Sequence, residues 1–98
     1  PEELIAAAHA SCFSMMLSKL LGDAKKTASD IRTKATLTLS NASGGWKISK
    51  IHLETEVSGG GLDAETLNRV AGQAKEQCPI SVLLQPGLES LTLDVKLK

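Results

Sequence analysis

The chain has 98 residues, 42% of them hydrophobic, and its eleven basic and eleven acidic side chains cancel to a formal net charge of zero. That describes one globular domain rather than a disordered segment, and the interspersed charges give no basic stripe of the kind nucleic-acid binding needs. A chain of this size buries roughly two-thirds of the surface its unfolded form exposes, so docking on a second chain would add a large share of stability.

Residues 2 to about 21 carry the clearest helical pattern. Leu4, Ile5, Ala8, Cys12, Met15, Met16 and Leu20 recur at three- and four-residue steps and predict one broad apolar face on a central, buried helix. Pro1, Glu2 and Glu3 suit a first turn, where proline loses no hydrogen bond and acidic groups meet the positive end of the dipole. Within this helix the apolar run from Cys12 to Leu21 is broken by Ser14, Ser18 and Lys19, and the sequence shows no export signal. A soluble, cytoplasmic protein without membrane association is expected. In a reducing compartment two cysteines imply redox chemistry or simple burial rather than a structural disulfide.

From about Lys34 the period changes to two, with Ala35, Leu37 and Leu39 on one side and Thr36, Thr38 and Ser40 on the other. Residues 41–45, rich in Ser, Gly and Asn, predict a turn, and a second strand from Trp46 to Val57 would complete a hairpin. The apolar parity slips between Ile48 and Ile51, which predicts a bulge near Ser49 and Lys50. After three glycines at 59–61, Asp63 can cap a helix that carries Leu67, Val70, Ala71 and Ala74 and stops before Cys78 and Pro79. Pro79 then opens a short helix to about Leu84, and Leu91, Leu93, Val95 and Leu97 alternate as a last strand. The order predicts an α+β fold with an antiparallel sheet packed on the long helix. Three strands make a thin sheet for so apolar a helix, so a further segment or a second chain should complete the packing.

Cys12 and Cys78 are the residues most able to carry chemistry. Small, apolar neighbours around Cys12 favour an inert buried thiol, whereas Cys78 would stand at the start of the Pro79 helix, where the dipole favours a thiolate. A cysteine packed at a helix junction explains Cys78 equally well. His9, three residues before Cys12, could serve as a base, but a partly exposed helix histidine is the simpler reading. His52, Glu54 and Glu56 fit a solvated outer strand face. Zinc is disfavoured, because neither histidine has a paired ligand spacing with a cysteine. No metal or other cofactor is expected.

The segment PEELIAAAHASCFSMMLS resembles the central-helix signature of the OsmC/Ohr family, and CPISVLL resembles that family's second cysteine motif. WKISKIHLETEV, AGQAKEQ and LTLDVKL are similar to the family pattern in order and spacing, so the resemblance runs through nearly the whole chain and looks closer to the OsmC branch. It implies an antioxidant, stress-response oxidoreductase: a peroxidase that reduces hydroperoxides through a redox-active disulfide. Cys12 would attack the peroxide and become a sulfenic acid, Cys78 would resolve it, and an external dithiol, such as a lipoyl-bearing protein, would reduce the disulfide. Glu2 matches the family's active-site carboxylate, whose role is to hold an arginine that lowers the thiol pKa. Arg32 and Arg69 fall at unrelated positions. Residues 1–98 therefore look like a single OsmC-like domain that lacks the family's N-terminal sheet segment, where that arginine lies.

Ten residues separate Glu2 from Cys12, a span of about 15 Å along a straight helix. One chain cannot bring both to one site. A two-fold homodimer with antiparallel central helices would, and the resemblance likewise implies an intertwined dimer. The alternatives are a non-catalytic, stress-related binding module that keeps its cysteines for packing, or an inactive fragment of the fold.

Overall fold

A computed structural model describes residues 1–42 and 44–98, with the backbone alone at Ala42. The long first helix, α1, runs Glu2–Asp23 behind Pro1 as its N-cap, with Glu2 and Glu3 in the first turn. His9, Phe13, Leu17 and Leu21, four residues apart, form its buried row. This is not the predicted side: Leu4 and Met15 are 75% and 71% exposed. Apolar residues lie nearly all round α1, so periodicity alone could not select which side meets the sheet. By length and composition α1 could also cross a membrane, but here its buried row packs on β1, α2 and α3, defined below. It ends in a Schellman turn, with Lys25 N–H bonded to the Gly22 carbonyl and Lys26 N–H to that of Leu21. Lys25 occupies the left-handed position (φ 61°) that glycine usually takes.

The hairpin is antiparallel as expected, formed by β1 (Asp30–Ala42) and β2 (Gly45–Ser58). Of the predicted turn, Ser43 lies outside the described residues. The strand starts four residues before Lys34, because Asp30–Thr33 pair with Thr55–Ser58. Thr33 sits on the helix-facing side, accepts a hydrogen bond from the Ser14 hydroxyl at 2.7 Å and lies 3.0 Å from the Thr55 hydroxyl. That polar link between α1 and two strands hid the start of the alternation. The bulge falls where the parity slip placed it: Thr38 pairs with Lys50 and Leu39 with Ile48, leaving Ser49 as the extra residue. Ser49 is buried, with its hydroxyl 2.8 Å from that of Ser40.

Gly59 begins the link to the second half. A side chain there would place its Cβ 2.5 Å from the Thr27 carbonyl oxygen, so the close approach of these two loops requires glycine. Helix α2 spans Ala64–Gln77, α3 spans Pro79–Leu84, a 3₁₀ turn covers Gln85–Gly87, and β3 spans Ser90–Leu97. The sheet order is β1-β2-β3, and β3 pairs with β2 in parallel. The expectation of a wholly antiparallel sheet is corrected here: two helices between β2 and β3 carry the chain back along the sheet, which is the crossover that parallel strands require. Phe13, Leu17 and Leu21 meet Ile51, Leu53 and Val57 of β2, Leu67, Val70, Ala71 and Ala74 of α2, and Leu91 of β3 in one core.

Asp63 caps α2 as its sequence position predicted, its side chain accepting the Thr66 N–H at 2.9 Å. That bond holds its carboxyl below the ordinary carboxylate range. A depressed pKa contributes stability above the unfolded-state value and loses it as pH falls through the folded-state value. Asp63→Ala should therefore lower the midpoint of thermal unfolding by a few degrees at neutral pH. The gap between variant and parent should close on acidification, and scanning calorimetry from neutral to acid pH checks both.

Candidate active site: two thiols across a helix crossing

Cys12 lies at the middle of α1 and Cys78 at the junction of α2 and α3. Proline at 79 confines Cys78 to extended backbone (φ −55°, ψ 123°), which ends α2 and opens α3. Its own backbone is spent at both ends, with Cys78 N–H bonded to the Ala74 carbonyl at 2.9 Å and its carbonyl accepting Val82 N–H at 3.0 Å. The side chain of Cys78 is fully buried, while Cys12 is half-buried, and both thiols are free.

The structure brings the two together. The polar neighbours of the Cys12 sulfur are the Cys78 thiol and the backbone N–H of Ile80 in the first turn of α3. Burial, followed by the Cys78 thiol, pushes the Cys12 thiol up from its ordinary value, and the Ile80 N–H opposes that shift. Cys12 opens on a cavity of about 590 Å³ walled by Ala8, Ser11, Met15, Met16, Pro79 and Ile80. Its one cation among the lining residues, Lys19, is 3.1 Å from Asp23.

Glu2 is not brought to this site. It lines a different groove, between the first turns of α1 and residues 33–37 of β1. Its own backbone N–H holds its carboxyl below the ordinary range. Arg32 pairs with Asp30 on the exposed side of β1, and Arg69 is exposed on α2.

His9 departs from its expected exposure. It is completely buried, and its Nε2 lies 2.7 Å from the Ser81 hydroxyl, so the ring turns to α3 rather than to Cys12. Desolvation lowers its pKa, which keeps the ring neutral. Ser81 was not legible as a site residue. The available signal was its spacing, three residues after Cys78 as His9 is three before Cys12.

On the outer face of the sheet, His52 is only one-third exposed rather than fully solvated. Its Nδ1 lies 2.6 Å from the Thr92 hydroxyl and its Nε2 3.1 Å from Asp94. His52, Glu54 and Asp94 offer donor atoms within 4.8 Å of one another, the one place among the described residues where side chains would suit a metal ion. Neither cysteine belongs to it.

A long thiol-bearing helix and a second thiol at a helix junction, both carried on one face of a small mixed sheet, define an α+β protein with a candidate dithiol centre. The chain belongs to the family described as OsmC-like protein, whose profile matches residues 1–91. It is 46% identical over all 98 residues to the Escherichia coli K12 protein named Peroxiredoxin OsmC, and covers 66% of that relative. The chain thus spans just under two-thirds of the length of the curated relatives it matches. Among solved structures, the organic hydroperoxide resistance protein OhrB of Bacillus subtilis is 26% identical with a TM-score of 0.72, over the whole of this chain and 69% of that one. The Legionella pneumophila protein described as organic hydroperoxide resistance protein OsmC shares the fold, with a TM-score of 0.85 at 24% identity over 98% of this chain and 68% of that one.

Proposed function

We propose that this chain carries the dithiol centre of a hydroperoxide reductase. The observation that carries the reading is the placement of Cys12 against Cys78 at the wall of an apolar cavity. The thiolate of Cys12 attacks the distal peroxide oxygen, the O–O bond breaks, and the alcohol leaves with a proton while Cys12 becomes a sulfenic acid. Cys78 then displaces the sulfenic hydroxyl as water and closes a disulfide, which an external dithiol, such as a lipoyl-bearing protein, returns to two thiols. The names of the relatives, a peroxiredoxin and an organic hydroperoxide resistance protein, support this class of substrate. Walls of Ala, Met, Pro and Ile favour organic hydroperoxides over hydrogen peroxide. Comparing consumption rates for the two peroxides with excess dithiol tests the reading, which fails if neither is consumed faster than by the dithiol alone.

The direction of the Cys12 shift gives a pH dependence. The thiolate is the nucleophile, so a raised pKa leaves it scarce at neutral pH, and its fraction keeps growing until pH passes the raised value. The second-order rate of Cys12 oxidation should climb with pH beyond the ordinary thiol range. A plateau already reached below pH of about 7 would contradict that, because it marks a low-pKa thiol.

The proposal includes a cytoplasmic two-fold homodimer. Leu4, Met15, Val82 and Leu83 leave α1 and α3 with exposed apolar side chains, and Trp46 is exposed on β2 beside the hairpin turn. Antiparallel pairing of two α1 helices would bring the partner's acidic first turn toward Cys12, so that Glu2 acts in the neighbouring chain's site. Sedimentation that shows a folded monomer with full turnover would refute this arrangement.

A further inference from the structure

The two cysteines form one rung of a two-rung ladder between α1 and α3. Cys12 faces Cys78, and His9, one turn earlier on α1, faces Ser81, one turn later on α3, at 2.7 Å. His9 and Ser81 are both fully buried. The other members of the same buried row on α1, Phe13, Leu17 and Leu21, are apolar. His9 alone places a polar ring there, and its Nδ1 is buried with no hydrogen-bond partner among the described residues. A site serving packing alone is better filled by an apolar side chain, since an unspent buried nitrogen costs stability whichever tautomer is present.

We propose that the His9–Ser81 pair is a positioning device: it clamps the first turn of α3 on α1 and so keeps the Cys78 sulfur within reach of Cys12 after Cys12 has been oxidised. This rests on the two-thiol cycle proposed above. The step it serves breaks the S–OH bond of the sulfenic acid as the S–S bond forms, with the hydroxyl and the Cys78 proton leaving as water. That reaction needs the two Cα atoms held within a narrow range, and α3, with only six residues, has few contacts of its own to hold it there. The ring stays neutral because it is buried. The clamp therefore adds no charge beside the reacting thiol.

The clamp acts on closure and not on peroxide attack, which separates it from a merely structural role. The full chain is mixed rapidly with an organic hydroperoxide, quenched at intervals and resolved by mass into thiol, sulfenic acid trapped with dimedone, and disulfide. The variants are His9→Leu/Ser81→Ala, in which both partners become apolar and the fold need not suffer, and His9→Gln, whose amide can still reach Ser81. In the double variant the first-order closure rate should fall by about 10- to 100-fold while the rate of Cys12 oxidation stays within about threefold of the parent. His9→Gln should restore much of the closure rate. Unchanged closure in the double variant overturns the clamp and leaves the two-thiol cycle standing. A parallel fall of both rates with the thermal midpoint also overturns it, since that marks a structural role. A parent that forms no Cys12–Cys78 disulfide overturns the cycle itself and the clamp with it.

Discussion

Cys12→Ser should lower peroxide consumption by roughly a thousandfold or more, the scale on which removal of a nucleophile is felt. No other group in the cavity can replace it: the wall around Cys12 is made of Ala, Ser, Met, Pro and Ile side chains with Lys19 at one edge. A hydroxyl at position 12 has far too high a pKa to act as an oxyanion beside the same apolar walls. Cys78→Ser should behave differently. It keeps the nucleophile and the Ile80 N–H beside it, so one equivalent of peroxide is still consumed, but the sulfenic acid persists and turnover with dithiol slows or diverts to direct reduction of Cys12. Stopped-flow consumption assays with intact-mass detection separate the two. If Cys12→Ser retained more than about a tenth of the parent rate, Cys12 would not be the nucleophile.

Phe13→Ala should cost about 3–5 kcal/mol of folding free energy. Phe13 is completely buried and stands one residue past Cys12, where α1 meets the core formed with β2 and α2. Removing the ring leaves a void that Leu17 on the same helix and the strand behind cannot fill without moving α1. Small domains have only about 5–15 kcal/mol in hand, so the variant should be close to unfolding at ambient temperature. Urea denaturation followed by circular dichroism measures the loss. A cost below about 1 kcal/mol would show that the side of α1 described as buried does not hold the core.

Much of the fold was legible because punctuation was strong. Asp63, the Cys78–Pro79 step and the parity slip at Ser49 each marked a boundary by a local steric or hydrogen-bonding rule, and each falls where the rule placed it. The orientation of α1 was not legible. Its apolar residues point all ways, so only the sheet it packs on decides that Phe13 goes in and Met15 stays out. The parallel pairing of β3 was equally hidden in alternation, which is the same in parallel and antiparallel strands, although the two intervening helices carried the information. At the site, the resemblance singled out Cys12 and Cys78, and the fold brings those two together. His9 was misjudged because its partner, Ser81, is 72 residues away in sequence and local reasoning had no means of supplying it.

The proposed cycle requires that Cys12 and Cys78 form one redox pair. It is tested most directly by treating the reduced chain with about one equivalent of an organic hydroperoxide and mapping the product by intact mass and proteolysis. The expected product has lost two hydrogens and yields a single cross-linked peptide joining Cys12 to Cys78 within one chain. Two free thiols after exposure to peroxide, or a disulfide that links chains through one cysteine while the other stays free, would contradict it.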